Sequence, residues 1–331
     1  MSAQRFGKMK KVNFIAYILL SLSFLGCKSV SQSRIENKEI FSYTNGTVIP
    51  FEFRNKYMPC FKIKTSEGVE LDFLFDSGMN YNSLYDSGRK KLNIQKEEIF
   101  SSAYSYLQKS NPSFSEKQIK TATKNFIDSG NMQFTFNEDF YNTKDVFKYE
   151  NKNQFEKHAD GMVGLDFFNA KHSLVVDYLN KCIVVDGDII EGTVVSMKKD
   201  FYGLYTIDVT INDVSQKAIV DTGSAYIVLA KDYKTGKNYS EKEIESILYD
   251  SKKIRTRLNL GANVEIGYGD KVQKKHAYNY YNALLKVSDI GRKVTSVYST
   301  FGYPMFSDKR IQFDFDNSKF IMGDLINRFA K

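Results

Sequence analysis

Polar and apolar residues alternate along Phe61-Lys-Ile-Lys-Thr-Ser-Glu-Gly-Val-Glu-Leu-Asp-Phe-Leu-Phe75, with Ser66-Glu67-Gly68 in the middle. Period two on both sides of a turn predicts a β-hairpin, and its second strand runs directly into Asp76-Ser77-Gly78. The pattern returns at Tyr205–Val220, which alternates around Asn212-Asp213 and leads into Asp221-Thr222-Gly223. Downstream, Met162-Val163-Gly164-Leu165-Asp166-Phe167-Phe168 has its counterpart in Thr300-Phe301-Gly302-Tyr303-Pro304-Met305-Phe306. A further hairpin pattern closes each half, at Leu174–Val185 and at Ile311–Met322. From acidic turn to glycine the two halves measure 88 and 81 residues, Asp76 to Gly164 and Asp221 to Gly302. Such a repeat predicts two related units, residues 41–195 and 196–331.

Each half also carries a charged stretch of more helical pattern, Lys90–Phe126 in the first and Ser240–Ile254 in the second. Pro112 interrupts the first of these. The rest reads as short strands and turns. The expected fold is mainly β, with two related barrel-like lobes and a few short helices.

The N-terminus has a different pattern. Lys8, Lys10 and Lys11 precede an apolar run, Phe14–Leu25, which ends at Gly26-Cys27. That is the layout of a secretory signal peptide over residues 1–26, and the run is too short to span a bilayer. Leu22-Ser23-Phe24-Leu25-Gly26-Cys27 resembles the lipobox of bacterial lipoproteins. The resemblance implies acylation of Cys27, a lipid bilayer as partner and a place in the bacterial cell envelope, facing the periplasm or the exterior. Residues 27–40 are polar and aperiodic and read as a tether.

Composition narrows the function classes. The chain is 42% apolar and 15% aromatic over 331 residues, enough for a sizeable core. Its net charge is +8, of which Arg5, Lys8, Lys10 and Lys11 in the acid-free leader supply half. No basic arm or RNA-binding aromatic signature is present, so nucleic acid is not an expected partner. The thiols left after Cys27 are Cys60 and Cys182, near the first and last strands of the first half. A bridge between them is geometrically conceivable, and two buried free thiols are the plainer reading. His158, His172 and His276 make no metal-ligand spacing with them, so neither metal nor organic cofactor is expected.

A hydrophobic strand ending in Asp-Ser/Thr-Gly, followed later by two apolar residues and Gly, resembles the pepsin and retropepsin aspartic peptidases, and this chain has two such sets. The resemblance implies one catalytic aspartate per lobe, Asp76 and Asp221, meeting at the lobe interface without any need to dimerise. It implies that Gly78 and Gly223 let backbone N–H groups approach the carboxylates, and that Ser77 and Thr222 reach across to the opposite loop. Gly164 and Gly302 would let a neighbouring strand pass close under each loop. Ser224 follows the second motif, where its hydroxyl can bond its own carboxylate. The first motif has Met79 there, which cannot, and Met79 is expected at the active-site wall. Asp86-Ser87-Gly88 and Asp128-Ser129-Gly130 repeat the tripeptide without the rest of the pattern and read as turns, the former exposed. Gly261, Gly267 and Gly269 read as turns too, and Tyr278, Tyr280 and Tyr281 as packing residues or a cleft lining. The activity implied is an aspartic endopeptidase, a hydrolase acting on peptide or protein substrates. The alternative is the same fold kept as a peptide-binding or scaffolding lipoprotein.

Overall fold

The computed structural model describes residues 45–323 except 66, 136–145, 152, 169–171, 202, 231–240, 247–253 and 281–297. The signal peptide, Cys27 and the tether lie outside the described residues. Among the described residues no helix is long and apolar enough to cross a membrane.

The chain is mainly β. Its first part contains β1 (Thr47–Arg54), β2 (Met58–Lys64), β3 (Glu70–Phe75), β4 (Asn82–Tyr85), β5 (Gln133–Thr135), β6 (Val146–Glu150), β7 (Gly161–Val163), β8 (Ser173–Asp177) and β9 (Cys182–Val185). Its second contains β10 (Gly192–Lys199), β11 (Tyr205–Ile211), β12 (Val214–Val220), β13 (Ile227–Leu229), β14 (Glu241–Ser246), β15 (Ile254–Tyr268), β16 (Lys271–Tyr280), β17 (Ser299–Phe301), β18 (Arg310–Asp314) and β19 (Lys319–Gly323). Among the described residues four α-helices complete it: α1 (Asp86–Lys91), α2 (Lys96–Ser110), α3 (Glu116–Asp128) and α4 (Tyr303–Phe306).

Both alternating segments fold as hairpins. The β11–β12 turn consists of Asn212 and Asp213, both at positive φ (46° and 63°), the conformation a two-residue hairpin loop needs. Gly68, at φ 85°, helps turn β2 into β3. Strand β3 then pairs in parallel with β7 (Phe73 opposite Gly161, Phe75 opposite Val163), and β7 is flanked on its other side by antiparallel β4. The second part repeats this connectivity. Strand β12 pairs in parallel with β17 (Ala218 opposite Ser299, Val220 opposite Phe301), and β13 runs antiparallel on the far side. The next strand out is again parallel, β6 beside β4 and β16 beside β13. Pairing of β15 with both β16 and β11 closes a six-strand barrel of β11, β12, β17, β13, β16 and β15.

A third sheet joins the two parts, in the order β1, β9, β8, β18, β19, β10. Its central contact is the antiparallel pair β8–β18, Asp177 opposite Arg310 through Ser173 opposite Asp314, so the two closing hairpins meet edge to edge. The inner faces are aromatic. Phe61, Phe73, Phe75, Phe147, Phe167 and Phe168 pack beneath β3, and Phe301, Phe306, Phe313 and Phe320 beneath β17 and β18.

Two expectations change and one, the break at Pro112, holds. Residues 240–254, read as helical, include strand β14 paired with β15; their charged, helix-like composition yields to the backbone partners a long neighbouring strand offers. Lys90–Phe126 is helical but divided, with α2 and α3 separated at Asn111–Ser115. Pro112 cannot continue a helix, and Ser115 starts a new one through a capping box with Gln118. Asp86-Ser87-Gly88 is no exposed turn. Asp86 and Gly88 are buried in the first turn of α1, where the Asp86 carboxylate bonds Arg89 Nε at 2.6 Å and accepts from Tyr149 Oη at 2.6 Å. Asp128 does end α3, with an exposed bond from Asn151.

Cys60 on β2 and Cys182 on β9 flank β1 from opposite sides and are free and buried. Burial pushes each thiol up to about 12, so both are protonated and inert.

Candidate active site

The turns after β3 and β12 bring Asp76 and Asp221 together, although 145 positions separate Ser77 from Thr222. Each loop is held by the strand it is parallel to: Asp76 N donates to Val163 O at 2.9 Å and Asp221 N to Phe301 O at 3.0 Å. Each loop closes on itself in the same way, with Met79 N donating to Asp76 O and Ser224 N to Asp221 O. Gly78 N then donates to Asp76 Oδ1 at 2.8 Å and Gly223 N to Asp221 Oδ1 at 2.9 Å. One local geometry is thus built twice.

Four buried hydrogen bonds interlock the loops. Ser77 N donates to Thr222 Oγ1 at 2.9 Å, and Thr222 Oγ1 donates to Phe75 O at 3.1 Å. Reciprocally, Thr222 N donates to Ser77 Oγ at 3.0 Å, and Ser77 Oγ donates to Val220 O at 2.7 Å. Both hydroxyls use their donor and an acceptor site across the interface, so neither loop can shift alone without orphaning buried polar groups.

The glycines set the carboxyl positions. A Cβ on Gly223 would sit 2.5 Å from Asp76 Cγ, and one on Gly78 would sit 2.8 Å from Asp221 Cγ. Each carboxyl therefore lies over the opposite loop's glycine. Gly164 and Gly302 clear the space below: a Cβ there would stand 2.4 Å from Met79 O and 2.4 Å from Ser224 O. Asn82 Oδ1 accepts from Gly164 N at 3.2 Å and fixes that crossing in the first half.

The two carboxyls are in hydrogen-bonding contact, and both are pushed above the ordinary carboxylate range. Burial is the largest cause for each. For Asp76, the neighbouring Asp221 charge and the bond between the two add to it, while N–H bonds from Gly78 and Gly223 oppose it. Two carboxylates this close cannot both ionise, so the pair holds one proton between them. Asp76 is 6% exposed and Asp221 is half-buried.

Aromatic side chains that sequence reasoning did not single out surround the pair. Tyr57, in the β1–β2 turn, is pushed up to about 12 by burial and then by the Asp221 and Asp76 charges. Tyr178 is buried near the same charges and packs with Phe53 and Tyr303, at ring separations of 6.1 and 5.8 Å. Both phenols stay neutral. Tyr278 packs edge-on against Tyr226 at 5.2 Å. The Tyr280 side chain and Tyr281 lie outside the described residues.

One sequence reading of the loops is corrected, and the Met79 side chain is located. Ser224 Oγ does not bond the Asp221 carboxylate; it donates to Tyr226 O at 3.0 Å. The Met79 side chain turns into the interior beside the first loop. It is 4% exposed in an apolar cluster with Met58, Cys60, Leu74, Tyr85, Phe155 and Met162. The Ser224 hydroxyl and the Met79 thioether thus make no bond to a dyad carboxyl. Met79→Ser is expected to cost about 3 kcal/mol or more of stability, from lost packing and a buried hydroxyl, and to leave any pH dependence of activity in place. A thermal melt together with a pH profile checks this. A stable variant with a shifted profile would put residue 79 on the dyad.

Among the described residues no group of His, Cys, Asp and Glu could hold a metal ion. No protein-family model matches the chain, and no curated protein sequence matches it at a significant level.

Proposed function

We propose that the chain is an aspartic endopeptidase of the pepsin and retropepsin type, built of two acid-protease-like lobes with the catalytic pair at their interface. One observation carries this reading: two carboxyls in hydrogen-bonding contact, each presented by a turn of the same design, on loops that lock each other through Ser77 and Thr222. A turn aspartate that merely terminates a strand needs no such partner. Burying two acids together costs stability, and that cost has a use in acid–base chemistry.

The shared proton defines the mechanism. The ionised carboxylate takes a proton from a water molecule while the protonated carboxyl gives its own to the peptide oxygen, and the water oxygen bonds the carbonyl carbon. Collapse of the tetrahedral intermediate then breaks the C–N bond as the amine leaves with a proton. Gly78 and Gly223 N–H groups hold the carboxyls in place throughout, and no metal is required. The peptide-binding alternative draws on Met79, which packs in an apolar cluster beside the first loop, and on a substrate-covering flap that the sequence does not place. The leader pattern and Gly26-Cys27 support an enzyme secreted and tethered to the cell envelope by lipid at Cys27.

Purified protein freed of its leader is expected to cleave a diverse peptide library under acidic to neutral conditions. A peptide analogue bearing a hydroxyl in place of the scissile carbonyl should inhibit it, whereas chelators and serine or thiol reagents should not. Absence of cleavage at every pH, with peptide binding indifferent to the hydroxyl, would overturn the reading.

A further inference from the structure

A cavity of about 500 Å³ adjoins the dyad loops and is lined from both parts of the chain. Asn80, Tyr81 and Asn82 form one wall immediately after the Asp76–Met79 turn, and Gly164 begins another immediately after Val163, whose carbonyl holds Asp76 N. Lys199, Tyr205 and Phe315 close it from the second part.

Its charges are unequal. Asp166 is the one carboxylate among the described lining residues, and Lys199 Nζ already grips both its oxygens, at 2.9 and 3.0 Å. Lys148 is half-buried, with its Nζ 3.6 Å above the centre of the Tyr81 ring, and forms no ion pair among the described residues. Burial pulls its ammonium below the usual lysine range, with Glu150 opposing only in part. A desolvated cation on an aromatic face beside a solvent-filled cavity has an open place for an anion.

We propose that this cavity binds a carboxylate of the substrate chain, an acidic side chain or a free C-terminus, on Lys148 above Tyr81, and so selects peptides for negative charge a few residues from the cleaved bond. The peptidase reading supplies the substrate; the cavity and the lysine over the Tyr81 ring stand without it. An extended peptide advances about 3.3 Å per residue, so a chain lying across the dyad reaches the cavity within a few positions.

The test uses octapeptides with a central Phe-Phe pair, carrying Glu or Gln at one scanned position, each with a free or an amidated C-terminus. Cleavage is measured with the native chain. Binding is measured by fluorescence anisotropy with the doubly substituted Asp76→Asn, Asp221→Asn chain. At one position Glu should be preferred to Gln about tenfold, the gain of a charge-assisted bond. If the terminus supplies the group, the preference appears instead between free and amidated peptides. Lys148→Met should bring the ratio to about one, and Lys148→Arg should retain it. Ratios near one in the native chain, ratios indifferent to Lys148→Met, or no binding of any acidic peptide overturn the inference. Cleavage without charge preference removes the cavity proposal and leaves the peptidase. Charge preference dependent on Lys148 without any cleavage does the reverse.

Discussion

Asp76→Asn and Asp221→Asn are each expected to lower kcat/KM for peptide hydrolysis by about a thousandfold or more, and the double substitution should add little. The non-additivity follows from the shared proton: either carboxyl alone can donate or accept, but the reaction needs both acts in one turnover. Asn is nearly isosteric and its carbonyl still accepts the glycine N–H, so the loops should stay closed. The pH dependence has a defined sign. Both groups are raised above their ordinary values, chiefly by burial. Activity should therefore appear as pH rises through the lower pKa of the pair and persist above the ordinary carboxylate range before the second proton is lost. Stability moves with the same groups. A carboxyl raised in the folded state binds protons more tightly there than when unfolded, so its contribution is full at acid pH and is lost as pH rises through the folded value. Replacing either aspartate should thus raise the melting temperature at neutral pH, by about 2 °C or more, with the gain vanishing below the unfolded carboxyl value. Independent, additive losses of activity, or Asn variants less stable than the native chain at neutral pH, would mean that the two carboxyls do not share a proton.

Much of this site was readable in the chain because it is written twice. A strand of period two running into Asp-Ser/Thr-Gly, with an apolar pair and Gly some 80 residues on, carries both the pairing of β3 with β7 and that of β12 with β17. The glycines were legible for the same reason: a position where another backbone passes within van der Waals contact admits no side chain, as at Gly164 and Gly302. What failed was local composition read without its partners. Residues Glu241–Ser246 are charged and helix-like in content, yet β15 offers them a ladder. Asp86 looked exposed because Arg89, Lys90 and Lys91 follow it; the arginine folds back onto the carboxylate and is itself buried. Side-chain direction was also invisible. Period two says which face residues 73 and 75 occupy but not where residue 79 points beyond the turn, so Met79 could be set against the dyad by sequence and against Tyr85 by packing. Asp160 gave no signal, although its carboxylate accepts from Asp72 N at 2.8 Å and pairs with Lys91 at 2.6 Å, tying down the start of β7.

Gly223→Ala should reduce kcat/KM about a hundredfold or more while leaving a folded protein. The added methyl would lie 2.5 Å from both Cγ and Oδ2 of Asp76, closer than non-bonded carbon atoms come. That carboxyl has little freedom to yield. Its Oδ1 accepts from Gly78 N, its own backbone N is held by Val163, and its partner across the gap is Asp221. The loop cannot retreat either, since Thr222, the preceding residue, is bound into the first half through Ser77 and Phe75. The least costly adjustment is rotation of the Asp76 carboxyl away from Asp221, which parts the pair by roughly the ångström that positioned catalysis does not tolerate. Overpacking itself costs about 1–3 kcal/mol, so a matched control is needed. Gly267→Ala supplies one. Its methyl would meet Thr210 Oγ1 at 2.2 Å, between β15 and β11, on the barrel wall and away from the carboxyls. Both variants should melt lower than the native chain. Only Gly223→Ala should lose activity per folded molecule, and its pH profile should change as well, because parted carboxyls titrate more independently. Equal losses in the two variants, or full activity in Gly223→Ala, would show that the close contact between the loops is structural and that the reaction does not depend on it.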